Sequence, residues 1–160
     1  MNKAYLLIGG NMGDREGYLS SARQWIEKMC GSIVNRSALY QTAAWGIENQ
    51  EAFLNQALQI ETMLAADELL KKLLWIEERI GRRRQEKYGP RIIDIDIVLF
   101  NDEIIHTEGL TIPHPQMQNR RFVLEPLNEI AADVIHPVLQ KSIRQLLSEC
   151  PDKLAVQKFQ

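Results

Sequence analysis

The sequence is sparing with cysteine, with net charge and with long apolar runs, and each shortage closes off a class of protein. Its two cysteines, Cys30 and Cys150, stand far apart and match no metal or redox spacing. Two free thiols in a reducing cytoplasm are therefore expected rather than a disulfide framework. The formal net charge is only −2, so nonspecific nucleic-acid binding is not expected and any grip on an anion must be local. The N-terminal "MNKAYLLIGGNMGDR" has only a short apolar stretch before its glycines, too little for a signal peptide or a membrane span. A phosphate-binding Gly-Lys-Ser/Thr ending is missing from "GGNMGDR", which fits no dinucleotide fingerprint either and reads as a plain glycine-rich turn. The histidines have no zinc-ligand spacing.

What is present is globular: 45% apolar and 25% charged residues in 160, enough for one domain over residues 1–160 with a core of its own. No repeat, linker or low-complexity tract interrupts it. "AYLLIG" reads as a first strand, and Leu19, Ala22, Trp25, Ile26 and Met29 set a helix over residues 16–29 that stops at Gly31. "SIVNRSALY" and "AFLNQALQIET" read as the second and third strands. Asp67 is the expected cap of a second helix with the stripe Leu69, Leu73, Ile76 and Ile80, ending at Gly81. "IIDIDIVLF" is the fourth strand. The order strand, helix, strand, strand, helix, strand is the ferredoxin-like βαββαβ arrangement of an α+β protein. It implies an antiparallel sheet with helices packed on one face and the other face left for function. Beyond Phe100 follow a turn at "ND" into "EIIH", a proline-stiffened "LTIPHP", and short helices in "RRFVLEPLNEIA" and "SIRQLLSEC", so a C-terminal hairpin and short helices extend the core.

The fourth strand poses the central question. At period 2, Ile93, Ile95, Ile97 and Leu99 make a core face, while Ile92, Asp94, Asp96, Val98 and Phe100 share the other. Asp94 and Asp96 are then about 6 to 7 Å apart on one side. Two like charges so close, and partly dehydrated, call for a cation. Alone, such a pair often just solvates an open sheet. Here Arg82, Arg83, Arg84, Lys87 and Arg91 lead into it, a run that by itself would be a solvated loop. A substrate whose phosphates bridge to Mg²⁺ explains both sets together, with carboxylates on the ion and guanidinium forks on the phosphoryl oxygens. Phe53 and Asn55 share a face of the third strand, either as ordinary packing or as a stacking platform beside an edge-reading amide, with Phe122 available opposite. His114, in "PHP" and near Arg120 and Arg121, suits an anion contact, while His106 and His136 read as structural.

These segments together, "AYLLIGGNMGD", "FLNQAL", "IEERIGRRR", "YGPRIIDIDIVLF" and "LTIPHPQMQNRRFVLEPL", resemble the 6-hydroxymethyl-7,8-dihydropterin pyrophosphokinases of folate biosynthesis. The resemblance runs over nearly the whole chain to about Pro137. It implies a cytoplasmic transferase that moves pyrophosphate from ATP to the pterin hydroxymethyl group and leaves AMP, with two Mg²⁺ ions on Asp94 and Asp96. It also implies a pterin held between Phe53 and Phe122, read by Asn55, and closed in by the segment Thr42, Ala43, Trp45 and Gly46. Glu77, Arg82, Arg84, Arg91, His114 and Arg120 would meet ATP or its phosphates, with Ile97 and Thr111 at the adenine and Arg82 and Arg91 acting in catalysis. The basic loop "RRRQEKYGP" would be open in the free protein and fold over the triphosphate. Ala43 replaces a usual proline, Gly10 a usual serine, and Gly109 and Leu74 stand where some members carry arginine and glutamine, so affinities can differ. The competing reading, a noncatalytic ferredoxin-like module that binds a ligand or RNA, suffers from the acidic pair, which repels a phosphate backbone. Small molecules are the expected partners, with neither nucleic acid nor membrane.

Overall fold

The computed structural model describes residues 1–43, 51–81 and 92–159. In chain order these form β1 (Asn2–Gly10), α1 (Arg15–Met29), β2 (Ser32–Arg36), β3 (Tyr40–Thr42), β4 (Phe53–Thr62), α2 (Ala66–Ile80), β5 (Asp94–Phe100), β6 (Ile105–Thr107), β7 (Leu110–Ile112), α3 (Arg121–Ala131), α4 (Ile143–Glu149) and β8 (Val156–Lys158). The main sheet runs β5-β1-β4-β3-β8, with β2 also pairing with β4. Its named pairings are antiparallel. This is the expected ferredoxin-like core with two amendments. The second predicted strand is interrupted: Ser37–Leu39 leaves the ladder, and β2 and β3 continue along one edge of β4. A strand not foreseen, β8, then covers β3.

Local chemistry explains the element ends. The Asp14 carboxylate accepts from Gly17 N–H at 3.1 Å and starts α1. The second helix begins two residues earlier than Asp67 suggested: Ala65 is the cap, its N–H donating to Glu68 Oε1 at 2.9 Å, while Asp67 sits in the first turn. Gly81 closes that helix at φ 125°, a conformation that glycine adopts without strain. The predicted turn at "ND" does not pair β5 with β6. Instead β6 pairs with β7 in a hairpin of its own around Gly109.

Alternation along the strands divides the sheet into two faces. Ala4, Leu6, Ile8, Leu54, Leu58, Ile60, Ile95 and Ile97 are buried beneath Leu19, Ala22 and Ile26 of α1 and Leu69, Leu73 and Ile76 of α2. Tyr5, Leu7, Ala57, Val98 and Leu99 are buried on the opposite face beneath Val123, Leu124 and Leu127 of α3 and Ile143 and Leu146 of α4. The open face expected from the sequence is therefore covered over part of its length. Strict alternation along β5 also fails. Leu6 pairs with Ile97 but Tyr5 pairs with Leu99, so Val98 is an inserted residue. That bulge turns Leu99 to the second face and Phe100 to the first.

Candidate active site

The second face carries one polar row beyond its covered part, and Asp96 stands at the edge of the covered row next to it. Gly9 pairs with Asp94 on one side and Asn55 on the other, and Leu7 pairs with Asp96 and Ala57. With neighbouring strands about 4.8 Å apart, Asp94 and Asn55 are about 10 Å apart across β1. Gly9 itself puts no side chain between them, for a structural reason: a Cβ there would lie 1.9 Å from Asn55 Oδ1 and 2.9 Å from Leu54 O. The Asn55 amide thus lies across the glycine, leaning from β4 toward the strand that borders Asp94. One step along β4, Phe53 pairs with Thr42, whose Oγ1 is buried without a hydrogen-bond partner among the described residues. Such a hydroxyl costs about 1 to 3 kcal/mol until something bonds to it.

Supports for this end of the sheet come from residues distant in sequence. Asn11 Nδ2 donates to Glu51 O at 3.0 Å and Arg15 Nη1 to Ala52 O at 2.8 Å, fixing the chain just before Phe53. The Tyr40 hydroxyl donates to Glu129 Oε1 at 2.6 Å, and Ala38 N–H donates to both oxygens of the same carboxylate. Burial, then the Glu129 carboxylate, pushes the Tyr40 hydroxyl well above the ordinary tyrosine range, so it stays a donor. Glu129 thereby ties α3 to β3. Phe122 lies seven residues earlier on the same side of α3. It packs against the second-face core, with the Arg120 guanidinium carbon 5.8 Å from its ring centre.

On β5, Asp94 is half-buried and Asp96 exposed. Beyond them, this edge strand is held from outside. Ile95 N–H donates to Glu77 Oε2 at 2.6 Å and His114 N–H donates to Val98 O at 3.0 Å. Glu77 is therefore a buried brace between α2 and β5 as well as a nucleotide candidate. His114 Nδ1 accepts from Gln116 N–H. Burial first, and Arg120 second, lowers its pKa, so the ring is neutral with its proton on Nε2. Ile97 is buried in the first-face core, so only its main chain on the sheet edge is available to a ligand. Thr111 pairs with His106 in the β6–β7 hairpin. Ala43 is the exposed residue just past β3. Trp45, Arg82, Arg84 and Arg91, and with them the expected lid, lie outside the described residues.

A family model for 7,8-dihydro-6-hydroxymethylpterin-pyrophosphokinase (HPPK) matches residues 5–132. The chain belongs to the HPPK family. It is 42% identical over 149 residues to the 2-amino-4-hydroxy-6-hydroxymethyldihydropteridine pyrophosphokinase of Aquifex aeolicus, covering 93% of this chain and 92% of that one. With the enzyme of the same name from Bacillus subtilis, identity is 46% over 83% of this chain and 80% of the relative. The folic acid synthesis protein fol1 of Schizosaccharomyces pombe is 36% identical over 94% of this chain but only 21% of its own length. Among solved structures, the HPPK-DHPS wild type of Plasmodium falciparum superposes with a TM-score of 0.76 at 20% identity, covering 93% of this chain and 43% of that one. At that identity the likeness speaks for the fold alone, and this chain spans less than half of the longer protein. As an HPPK, this protein is a transferase of folate biosynthesis that moves a pyrophosphoryl group onto the pterin, with ATP as co-substrate.

The fold thus gathers Asp94, Asp96, Asn55, Phe53 and Thr42 on one end of one face. Sequence reasoning passed over Gly9, taken as a turn glycine, although its place one residue past the apolar run of β1 was a usable signal. Nothing in the sequence links Tyr40 to Glu129, because their pairing depends on the docking of α3.

Proposed function

We propose that Asp94 and Asp96 hold Mg²⁺, two ions in all, on the phosphates of ATP, and that Asn55 and Thr42 read the edge of a pterin stacked between Phe53 and Phe122. The observation that carries this reading is the row Asp94, Gly9, Asn55, which sets a hard carboxylate and a heterocycle-reading amide about 10 Å apart with a glycine between them. The donor set suits Mg²⁺. Its oxygens are carboxylates, and among the described residues no group of three His, Cys, Asp or Glu forms. Mg²⁺ commonly takes one or two carboxylates and completes its shell with water and substrate phosphates.

In the reaction the pterin hydroxymethyl oxygen bonds to the β-phosphorus of ATP as the bond from that phosphorus to the α-bridging oxygen breaks, releasing AMP. Bound metal would supply charge neutralisation on the phosphoryl oxygens and acidify the attacking hydroxyl. The protein's own share is alignment. Phe53 and Phe122 fix the ring plane, Asn55 and Thr42 Oγ1 fix its rotation, and Ala43 and Trp45 close over it through the main chain. His114 Nε2–H and the Arg120 guanidinium, with Arg82, Arg84 and Arg91, grip phosphate oxygens as negative charge shifts among them. Glu77 and Thr111 border the nucleotide, and the adenine lies along the Ile97 main chain at the edge of β5. Residues 1–160 work as one domain on small molecules, without nucleic acid or membrane. Among the described residues no helix is long and apolar enough to cross a membrane. Cys30 and Cys150, free and buried, suit a reducing cytoplasm.

The test is incubation with ATP, Mg²⁺ and 6-hydroxymethyl-7,8-dihydropterin. AMP and the pterin diphosphate should form in equal amounts and only with Mg²⁺ present. Formation of ADP instead, or undiminished turnover in excess chelator, contradicts the reading.

A further inference from the structure

A second polar hollow lies on the side of β4 opposite Asn55. It encloses about 310 Å³ and is lined by Glu16 and Arg23 of α1, Arg36 of β2, the Ser37–Leu39 connector and Gln56 of β4. Its floor is a built one. Gln56 is only 4% exposed, and its amide is oriented at both ends: Nε2 donates to Ser37 O at 2.7 Å and Oε1 accepts from Arg23 Nη1 at 2.8 Å. A buried amide therefore clamps one guanidinium into the hollow that Arg36 also borders. Neither arginine forms an ion pair among the described residues. Partial burial, then the charge of Arg36, makes the Arg23 cation harder to keep. Solvated surface arginines ordinarily swing apart. Here the hydrogen bond to Gln56 prevents Arg23 from doing so, and two like charges share one concavity.

We propose that this hollow is an anion site, distinct from the catalytic face, that takes the phosphoryl end of a small molecule between Arg23 and Arg36. Guanidinium forks match the oxygens of a phosphoryl group, and two forks converging on one group neutralise a dianion. Leu39 supplies an apolar wall for the body of the ligand. Glu16, two turns before Arg23 on α1, also lines the hollow, where its carboxylate disfavours a second negative group and favours a hydroxyl or amine at the ligand's other end.

The direct probe is inorganic phosphate, titrated into the nucleotide-free protein in chelator while amide and arginine side-chain resonances are followed by NMR. Saturable shifts are expected at Ser37, Ala38, the Gln56 side-chain amide and Arg23 Nε. Arg23→Gln and Arg36→Gln should each weaken phosphate binding by about tenfold or more. Arg36 is exposed on β2, so Arg36→Gln should keep the resonance pattern of the fold, and it alone decides the matter if Arg23→Gln does not fold. AMP formation at low phosphate should be unchanged in Arg36→Gln. Shifts that do not saturate, that centre on residues 94–97 and 114–120, or that survive Arg36→Gln overturn the site. Equal saturation by succinate overturns its assignment to phosphoryl groups.

Discussion

The two faces of this sheet are made by the same strands and do different work. Toward α1 and α2, β1 presents Ile8, β4 presents Leu54 and β5 presents Ile95, all buried in one apolar cluster. One residue away on each strand, toward the other face, stand Gly9, Asn55 and Asp94. Because side chains alternate, each strand places a core residue and a proposed site residue side by side in sequence yet on opposite sides of the backbone. Burial that stabilises the fold thus fixes the main-chain positions of the site without competing for its space. The apolar cluster under α3 and α4 takes in Leu7 and Ala57 of the second face but not Gly9, Asn55 or Asp94.

The comparison is broken if substitutions on the two faces act alike. The largest contrast is between Asp94→Ala or Asp96→Ala and Leu73→Ala. Loss of one carboxylate should lower turnover by about a thousandfold, the several kcal/mol that a metal contact gives the transition state, with the melting temperature nearly kept. Leu73→Ala should destabilise folding by about 2 to 5 kcal/mol through the cavity it leaves, with turnover per folded molecule nearly normal. Paired kinetics and thermal melts check both. The next effect is that of Gly9→Ala. The added methyl displaces the Asn55 amide, so KM for the pterin should rise by about tenfold or more while KM for ATP moves little. Unchanged pterin KM would remove Asn55 from the pocket. Phe53→Ala and Phe122→Ala should each weaken pterin binding by about 1 to 3 kcal/mol, by analogy with bases stacked on aromatics. Calorimetry showing the loss on ATP instead would move the pocket elsewhere.

The smallest effect belongs to neither face. His136 is buried, and its Nδ1 accepts from the N–H groups of Val138 and Leu139 at 3.2 and 3.0 Å. Burial lowers its pKa below the ordinary 6.5. The folded state therefore resists a proton that the unfolded chain accepts. Stability from the neutral ring is complete above pH of about 6.5 and declines as pH falls toward the folded pKa. Melting temperatures should drop across this acid range in the native chain and drop less in His136→Asn.

Element order and the carboxylate pair on β5 were legible because alternation and helical spacing are local. The DID strand shows its two faces in seven residues. Its bulge at Val98 was not legible, since the slip is a property of the pairing with β1, and the sequence of β5 alone offers no reason for Phe100 to cross over. The break at Ser37–Leu39 was hidden for the same reason. Its polar groups are satisfied by Gln56, Ala57 and Glu129, whose side chains and main chain arrive from β4 and α3. Phe53 and Asn55 could be paired by their spacing. The emptiness over Gly9 that gives Asn55 its place could not, because it depends on the register between two strands.

The central claim is that metal, nucleotide and pterin meet on the second face around the Asp94–Gly9–Asn55 row. Its most direct test replaces Mg²⁺ with paramagnetic Mn²⁺ in the presence of a nonhydrolysable ATP analogue and maps the broadening of backbone amide resonances. Broadening should be strongest at Asp94, Ile95 and Asp96, strong at Gly9 across the ladder, weaker at Asn55 and weaker still along α1, and Asp96→Ala should sharply reduce it. Broadening centred away from β5, or indifferent to Asp96→Ala, would contradict the account.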